Sequence, residues 1–102
     1  MGMYAHVRIV NEIEYGNEIG KNYQVDSFFD DLSNFEELSG ETLIEFYNFE
    51  NTFIEINYSK FIKAYEELSK SHKITKAILE IYNEAFNKES CIKNNIIAIE
   101  WF

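Results

Sequence analysis

An α+β two-layer domain is the fold this sequence predicts, and three observations lead to it. Segments near residues 4–15 and 41–58 alternate as strands do. Segments from about 26 to 39, 60 to 71 and 74 to 88 repeat their apolar residues at helical spacing. The chain closes on an apolar run, residues 96–102. The expected order is β-α-β-β-α-α-β, a four-stranded, mostly antiparallel sheet with three helices mainly on one face, as a single domain over residues 1–102.

In the first strand Ala5, Val7, Ile9 and Ile13 face one way, and His6, Arg8, Glu12 and Glu14 the other. Val10 and Asn11 interrupt the period, as a bulge does. The stretch "GNEIGKN" reads as a loop. A helix then starts near Asp26 or Ser27, where Ser27 and Asp30 approximate a capping box, and Gly40 terminates it. Residues 41–58 form a hairpin turning at Glu50-Asn51. Ile44 and Phe46 share one face of its first strand, and Ile54, Ile56 and Tyr58 one face of its second. Ser59 caps the next helix, whose Phe61, Ala64, Tyr65 and Leu68 form a stripe. In the helix after it, Ile74, Ile78, Ile81 and Ala85 stack, and Leu79, Tyr82 and Phe86 widen the stripe, which predicts burial against both sheet and helix. "IIAIEWF" is apolar on both faces except at Glu100, the pattern of a central strand. Proline is absent and all four glycines lie in the first 40 residues, so later turns depend on Asn and Ser.

Composition supports a real core: nine Phe, seven Tyr and one Trp are large apolar groups, each burying considerable area. No apolar run approaches the roughly 20 residues of a membrane helix. The N-terminus lacks the basic and apolar regions of a signal peptide, and the lone Cys91 has no internal disulfide partner. The expected location is therefore the cytoplasm of a bacterial cell. The Ile, Asn, Lys and Phe content fits an AT-rich source genome.

Charge is distributed unevenly. Residues 1–58 carry twelve carboxylates against Arg8 and Lys21, a net of −10, whereas residues 59–102 carry six against seven lysines, a net of +1. An acidic half repels nucleic acid and membrane surfaces and attracts basic protein. Neither is expected as a direct ligand.

No catalytic constellation survives inspection. His6, His72 and Cys91 lack ligand-pair or nucleophile spacing, and no metal or other cofactor is implied. Adjacent pairs such as Asp30-Asp31 and Glu36-Glu37 diverge by about 100° on a helix and cannot clasp one ion. Glu12 and Glu14 share a strand face with His6, which makes them the only plausible enzymatic site. "GNEIG" lacks the lysine of a phosphate loop. The chain is accordingly read as a non-enzyme.

The most informative stretch is "FFDDLSNFEELSGE", residues 28–41. On a wheel advancing about 100° per residue, Val25, Phe28, Phe29, Leu32 and Phe35 fill one arc, and Asp26, Asp30 and Glu37 lie opposite. Asp31 sits on the flank. Glu36 falls inside the apolar arc, which predicts a break near Ser33-Asn34. Glu36, Glu37 and Glu41 stand at the helix end where acids are unfavourable, and no cation occurs between Lys21 and Lys60. In the hairpin Tyr47 and Phe49 fall on the face opposite Ile44 and Phe46 and are expected to be exposed, beside Glu50.

The expected partner-binding residues are therefore Asp30, Asp31, Glu36, Glu37, Glu41, Tyr47, Phe49 and Glu50, reading a basic protein such as a nucleic-acid-binding protein or nuclease. In size, charge and lack of motifs the chain resembles, as a type, phage anti-defence proteins such as anti-CRISPRs. It equally resembles immunity proteins that neutralise nuclease toxins. The resemblance implies an inhibitor, with carboxylates standing in for phosphates as in a DNA mimic. The alternative is a homo-oligomeric structural or adaptor domain whose hairpin aromatics pair across a two-fold, so both monomer and homodimer are open.

Overall fold

The computed structural model describes residues 7–10, 15–19, 25–48, 53–71 and 74–101. Along them run β1 (Val7–Val10), β2 (Tyr15–Ile19), α1 (Val25–Ser39), β3 (Ile44–Asn48), β4 (Phe53–Asn57), α2 (Tyr58–Leu68), α3 (Lys76–Ala85), α4 (Glu89–Asn94) and β5 (Ile96–Glu100). The class is α+β with an antiparallel sheet, as the sequence predicts. The described residues hold five strands and four helices, however, rather than four and three. Sheet order is β2-β1-β5-β4-β3, and every neighbouring pair is antiparallel.

The two extra elements have separate causes. Gly16 and Asn17 are poor strand formers, so "GNEIG" reads as a loop; pairing of Val7 with Ile19 and Arg8 with Glu18 overrides that preference. The β1–β2 register does shift, but the extra residue is in β2, where Gly16 and Asn17 lie opposite Ile9, while β1 runs in regular register against β5; Asn11, where an interruption of the first strand was expected, lies outside the described residues. Residues 4–6 and 11–14, with His6, Glu12 and Glu14, lie outside the described residues. The additional helix arises because α3 ends earlier than its periodicity suggests. Phe86 is already extended and Asn87 takes a φ of 62°, which turns the chain into the short α4. Asn95, φ 55°, ends α4 in turn. Among the described residues of the second half of the chain, where no glycine is available, asparagine thus supplies both left-handed positions.

Asn95 also starts the neighbouring helix. Its carbonyl accepts from Tyr58 N at 3.0 Å and its Oδ1 from Ser59 N at 2.9 Å. The α2 cap is Asn57 rather than Ser59: Asn57 Oδ1 accepts from Lys60 N at 2.9 Å, and the Ser59 hydroxyl donates to that same oxygen. Thr75 caps α3 by accepting from Ile78 N.

β5, the apolar-on-both-sides segment, lies at the centre of the sheet between β1 and β4. Ile97 and Ile99 pair with Ile56 and Ile54, and all four are fully buried beneath the helices. Phe28, Leu32, Phe61, Ile78, Ile81 and Trp101 belong to the same core. Each such side chain contributes about 1.5–3 kcal/mol through removal of apolar surface from water.

Candidate partner-binding surface

The acidic stretch folds as one unbroken helix. α1 begins at Val25, slightly ahead of the expected start, so Ser27 lies inside it rather than at its cap. Phe28, Leu32 and Phe35 are buried. No break occurs at Ser33-Asn34, and the reason is Glu36. Its inward position is real, but the carboxylate has partners: Oε2 accepts from Leu43 N at 2.8 Å and Ile44 N at 2.9 Å. Glu36 therefore fastens the start of β3 to the end of α1. Two charge-assisted hydrogen bonds offset its poor location on the helix. Gly40 (φ 73°) reverses the chain between the two elements, and Ser39 Oγ donates to Glu36 O at 2.6 Å while accepting from Glu41 N.

The other carboxylates divide by environment. Asp30, Glu37 and Glu41 are exposed. Asp31 is half-buried on the flank facing α3. Burial first, and the charge of Asp30 second, push its carboxyl above the ordinary value of 3.8, while a hydrogen bond with Thr75 pulls the other way. Beside it lies a cavity of about 40 Å³ lined by Asp31, Phe35, Leu38, Leu68, Ile74 and Ile78, roomy enough for only about three waters.

The hairpin departs from expectation in its face assignment. Ile44 pairs with Ile56, but a register shift follows, and Phe46 pairs with Glu55 and Tyr47 with the buried Ile54. Ile44 and Phe46 therefore do not share a face. The bulge at Glu45 places Phe46 opposite, and Tyr47 shares the helix-covered side. Tyr47 is nonetheless 48% exposed because β3 is an edge strand. Its ring lies 6.1 Å from Phe29 at 86° and 6.2 Å from Trp101, so it is held by the aromatic end of the core. Phe29 precedes Asp30 directly, so the fold brings an exposed tyrosine and the first turns of the acidic helix to one region. Phe49 and Glu50 lie outside the described residues.

Sequence reasoning missed Glu45 and Phe46. Both are exposed, the latter 46%. The signal for them was the same bulge, which period-two counting cannot locate. His72 is outside the described residues, and Cys91 is buried, its thiol pushed up mainly by desolvation. Among the described residues no three His, Cys, Asp or Glu side chains gather as a metal site, and no helix is long and apolar enough to cross a membrane. Compared with protein-family models, curated proteins and solved structures, the chain matches none.

Proposed function

We propose that this chain is a small acidic protein-binding inhibitor, not an enzyme, that covers the basic nucleic-acid-binding surface of a target protein in a bacterial cytoplasm. Phage anti-defence action of the anti-CRISPR type, by DNA mimicry, is the leading form, and neutralisation of a nuclease toxin by an immunity protein is its close variant. One observation carries the reading. Asp30, Glu37, Glu41 and Glu45 are exposed along consecutive α1 and β3, in a stretch with no basic residue from Lys21 to Lys60. Exposed acids unaccompanied by cations cost stability through self-repulsion and are relieved by a basic partner. Tyr47, braced on Phe29 and Trp101, supplies a rigid aromatic anchor next to them. Glu36 leaves the set of partner-binding candidates because its carboxylate holds β3.

The test uses the fourfold variant Asp30→Asn, Asp31→Asn, Glu37→Gln, Glu41→Gln. Partners captured on the wild-type chain from a bacterial or phage-infected lysate are titrated against both proteins at several salt concentrations. Labelled DNA already bound to those partners reports displacement. Weakened binding, a flatter salt dependence and lost displacement are expected of the variant. Equal affinity for both proteins would sink the charge argument.

A further inference from the structure

The expected burial of α3 is incomplete in two places. Ala77, Ile78, Ile81 and Ala85 are buried, whereas Leu79 and Phe86 remain 41% and 45% exposed. There Tyr82 stacks on Tyr65 of α2 at 3.8 Å and on Phe86 at 5.0 Å, an apolar surface whose surroundings select no particular partner. The second place, where the start of α3 meets α1 and the end of α2, has a defined size and one charge. Asp31, Asn34 and Leu38 follow i, i+3, i+7 spacing and so make one stripe of α1. They line the 40 Å³ cavity together with Thr75 and with the buried Phe35 and Ile78. Asn34, Thr75 and Leu38 are exposed at its mouth, Leu38 by 55%. Among the described residues that line the cavity, Asp31 alone is charged. The Thr75 hydroxyl oxygen accepts from Ile78 N at 3.4 Å, which leaves its proton to donate to the Asp31 carboxylate. A carboxylate accepts about four hydrogen bonds, so Asp31 keeps acceptor capacity for a further donor. Among the described residues no cation acts on it: burial and Asp30 both disfavour its charge, and only Thr75 opposes them.

We infer that this cavity is a binding site for a primary ammonium on an apolar stem, and that its occupant is a lysine side chain of the basic partner. Size decides between lysine and arginine. Room for about three waters is room for about three heavy atoms, the Cδ, Cε and Nζ of a lysine. A guanidinium with its attached carbon brings about five in a rigid plane, too many for the same space. Polarity agrees with this choice. Phe35 and Ile78 receive methylene groups, Asp31 receives the charge, and the exposed Leu38 offers a track for the rest of the stem. A neutral group would leave the half-buried carboxylate without a counter-charge, and an acidic one would be repelled. The neighbouring stripe of α1 presents the exposed Asp30 and Glu37, so a basic surface drawn to that ridge meets the cavity on its flank. The source of the lysine rests on the inhibitor reading; the chemistry of the cavity does not.

The probe is n-butylammonium chloride, titrated into the full chain at neutral pH against matched sodium chloride. The Asp31 carboxyl carbon-13 shift and the backbone amide shifts follow it. Saturable changes centred on Asp31, Thr75 and Ile78 are expected, with a dissociation constant on the order of tens of millimolar, as suits so few non-hydrogen atoms. 1-Butanol and n-butylguanidinium should each bind about tenfold more weakly or worse, and Asp31→Asn should weaken the ammonium by about as much. No saturable change in the wild type, an equal response to 1-butanol, or equal or tighter binding of the guanidinium overturns the site. The partner's lysine is read separately. Asp31→Asn alone should weaken binding of the captured partners by about fivefold or more. Unchanged affinity there, while Asp30→Asn, Glu37→Gln and Glu41→Gln together weaken it, overturns lysine as the occupant and leaves the inhibitor reading standing. A chain that binds butylammonium but displaces no DNA refutes the inhibitor reading, and with it the partner's lysine, while the cavity's chemistry stands.

Discussion

Glu36 concentrates the residue-scale lesson. An acid in an apolar arc at the wrong end of a helix looks like a sacrifice for function, yet its oxygen holds two backbone N–H groups of β3. Glu36→Ala should therefore destabilise the fold by about 1–3 kcal/mol, the cost of leaving part-buried donors unsatisfied. Glu36→Gln, which keeps an acceptor, should cost less; urea denaturation of both variants checks the order. Asp31 behaves in the opposite sense. Its folded pKa lies above the ordinary 3.8, so the folded chain holds this proton more tightly than the unfolded chain does. Its contribution to stability is most favourable below 3.8 and declines as pH rises through the raised value. Asp31→Asn is thus expected to raise the melting temperature at neutral pH, with the difference from wild type shrinking as the pH is lowered toward the unfolded value. Thermal unfolding followed by circular dichroism at the two pH limits reads this directly, and a difference that grows on acidification would contradict it.

Connections dominate at the scale of elements. Where proline and glycine are missing, Asn57, Asn87 and Asn95 cap and turn the chain instead. Asn95 has two duties, ending α4 in the left-handed region and holding the first N–H groups of α2. The duties can be separated by substitution. Asn95→Gly keeps the backbone geometry and loses only the side-chain acceptor, while Asn95→Ala loses the acceptor and adds left-handed strain. Alanine should cost about 1 kcal/mol more than glycine by chemical denaturation. Helix existence was legible from apolar spacing for α1, α2 and α3, and the hairpin from its alternation. β2 and α4 were not, because pairing with β1 rescues a glycine-bearing strand, and a helix of one and a half turns is too short to carry a period.

Charge and apolar surface segregate over the whole molecule. The acidic α1–β3 region and the aromatic α2–α3 stack form two unlike surfaces. The fourfold amide variant reports on this scale as well: removing four negative charges takes the net charge from −9 to −5 and should modestly raise stability while weakening partner capture. A parallel loss of stability and binding would instead mean that the carboxylates hold the fold. Of the candidate surface, Asp30, Glu37, Glu41 and Tyr47 were legible as exposed groups. The structural duty of Glu36 was not legible because the N–H groups that donate to its carboxylate come from the next element, and Glu45 and Phe46 were overlooked because a bulge inverted the strand's faces.

What the sequence determined by itself is what local spacing encodes: the α+β class, the apolar stripes, the glycine stop at Gly40, the central character of residues 96–100 and the asymmetry of charge. The tertiary structure alone decided the sheet order, the existence of β2, the duty of Glu36 and the exposure of Leu79 and Phe86. Each of these depends on a group remote in sequence, and a periodicity reports which side of an element is apolar, never which neighbour arrives to cover it.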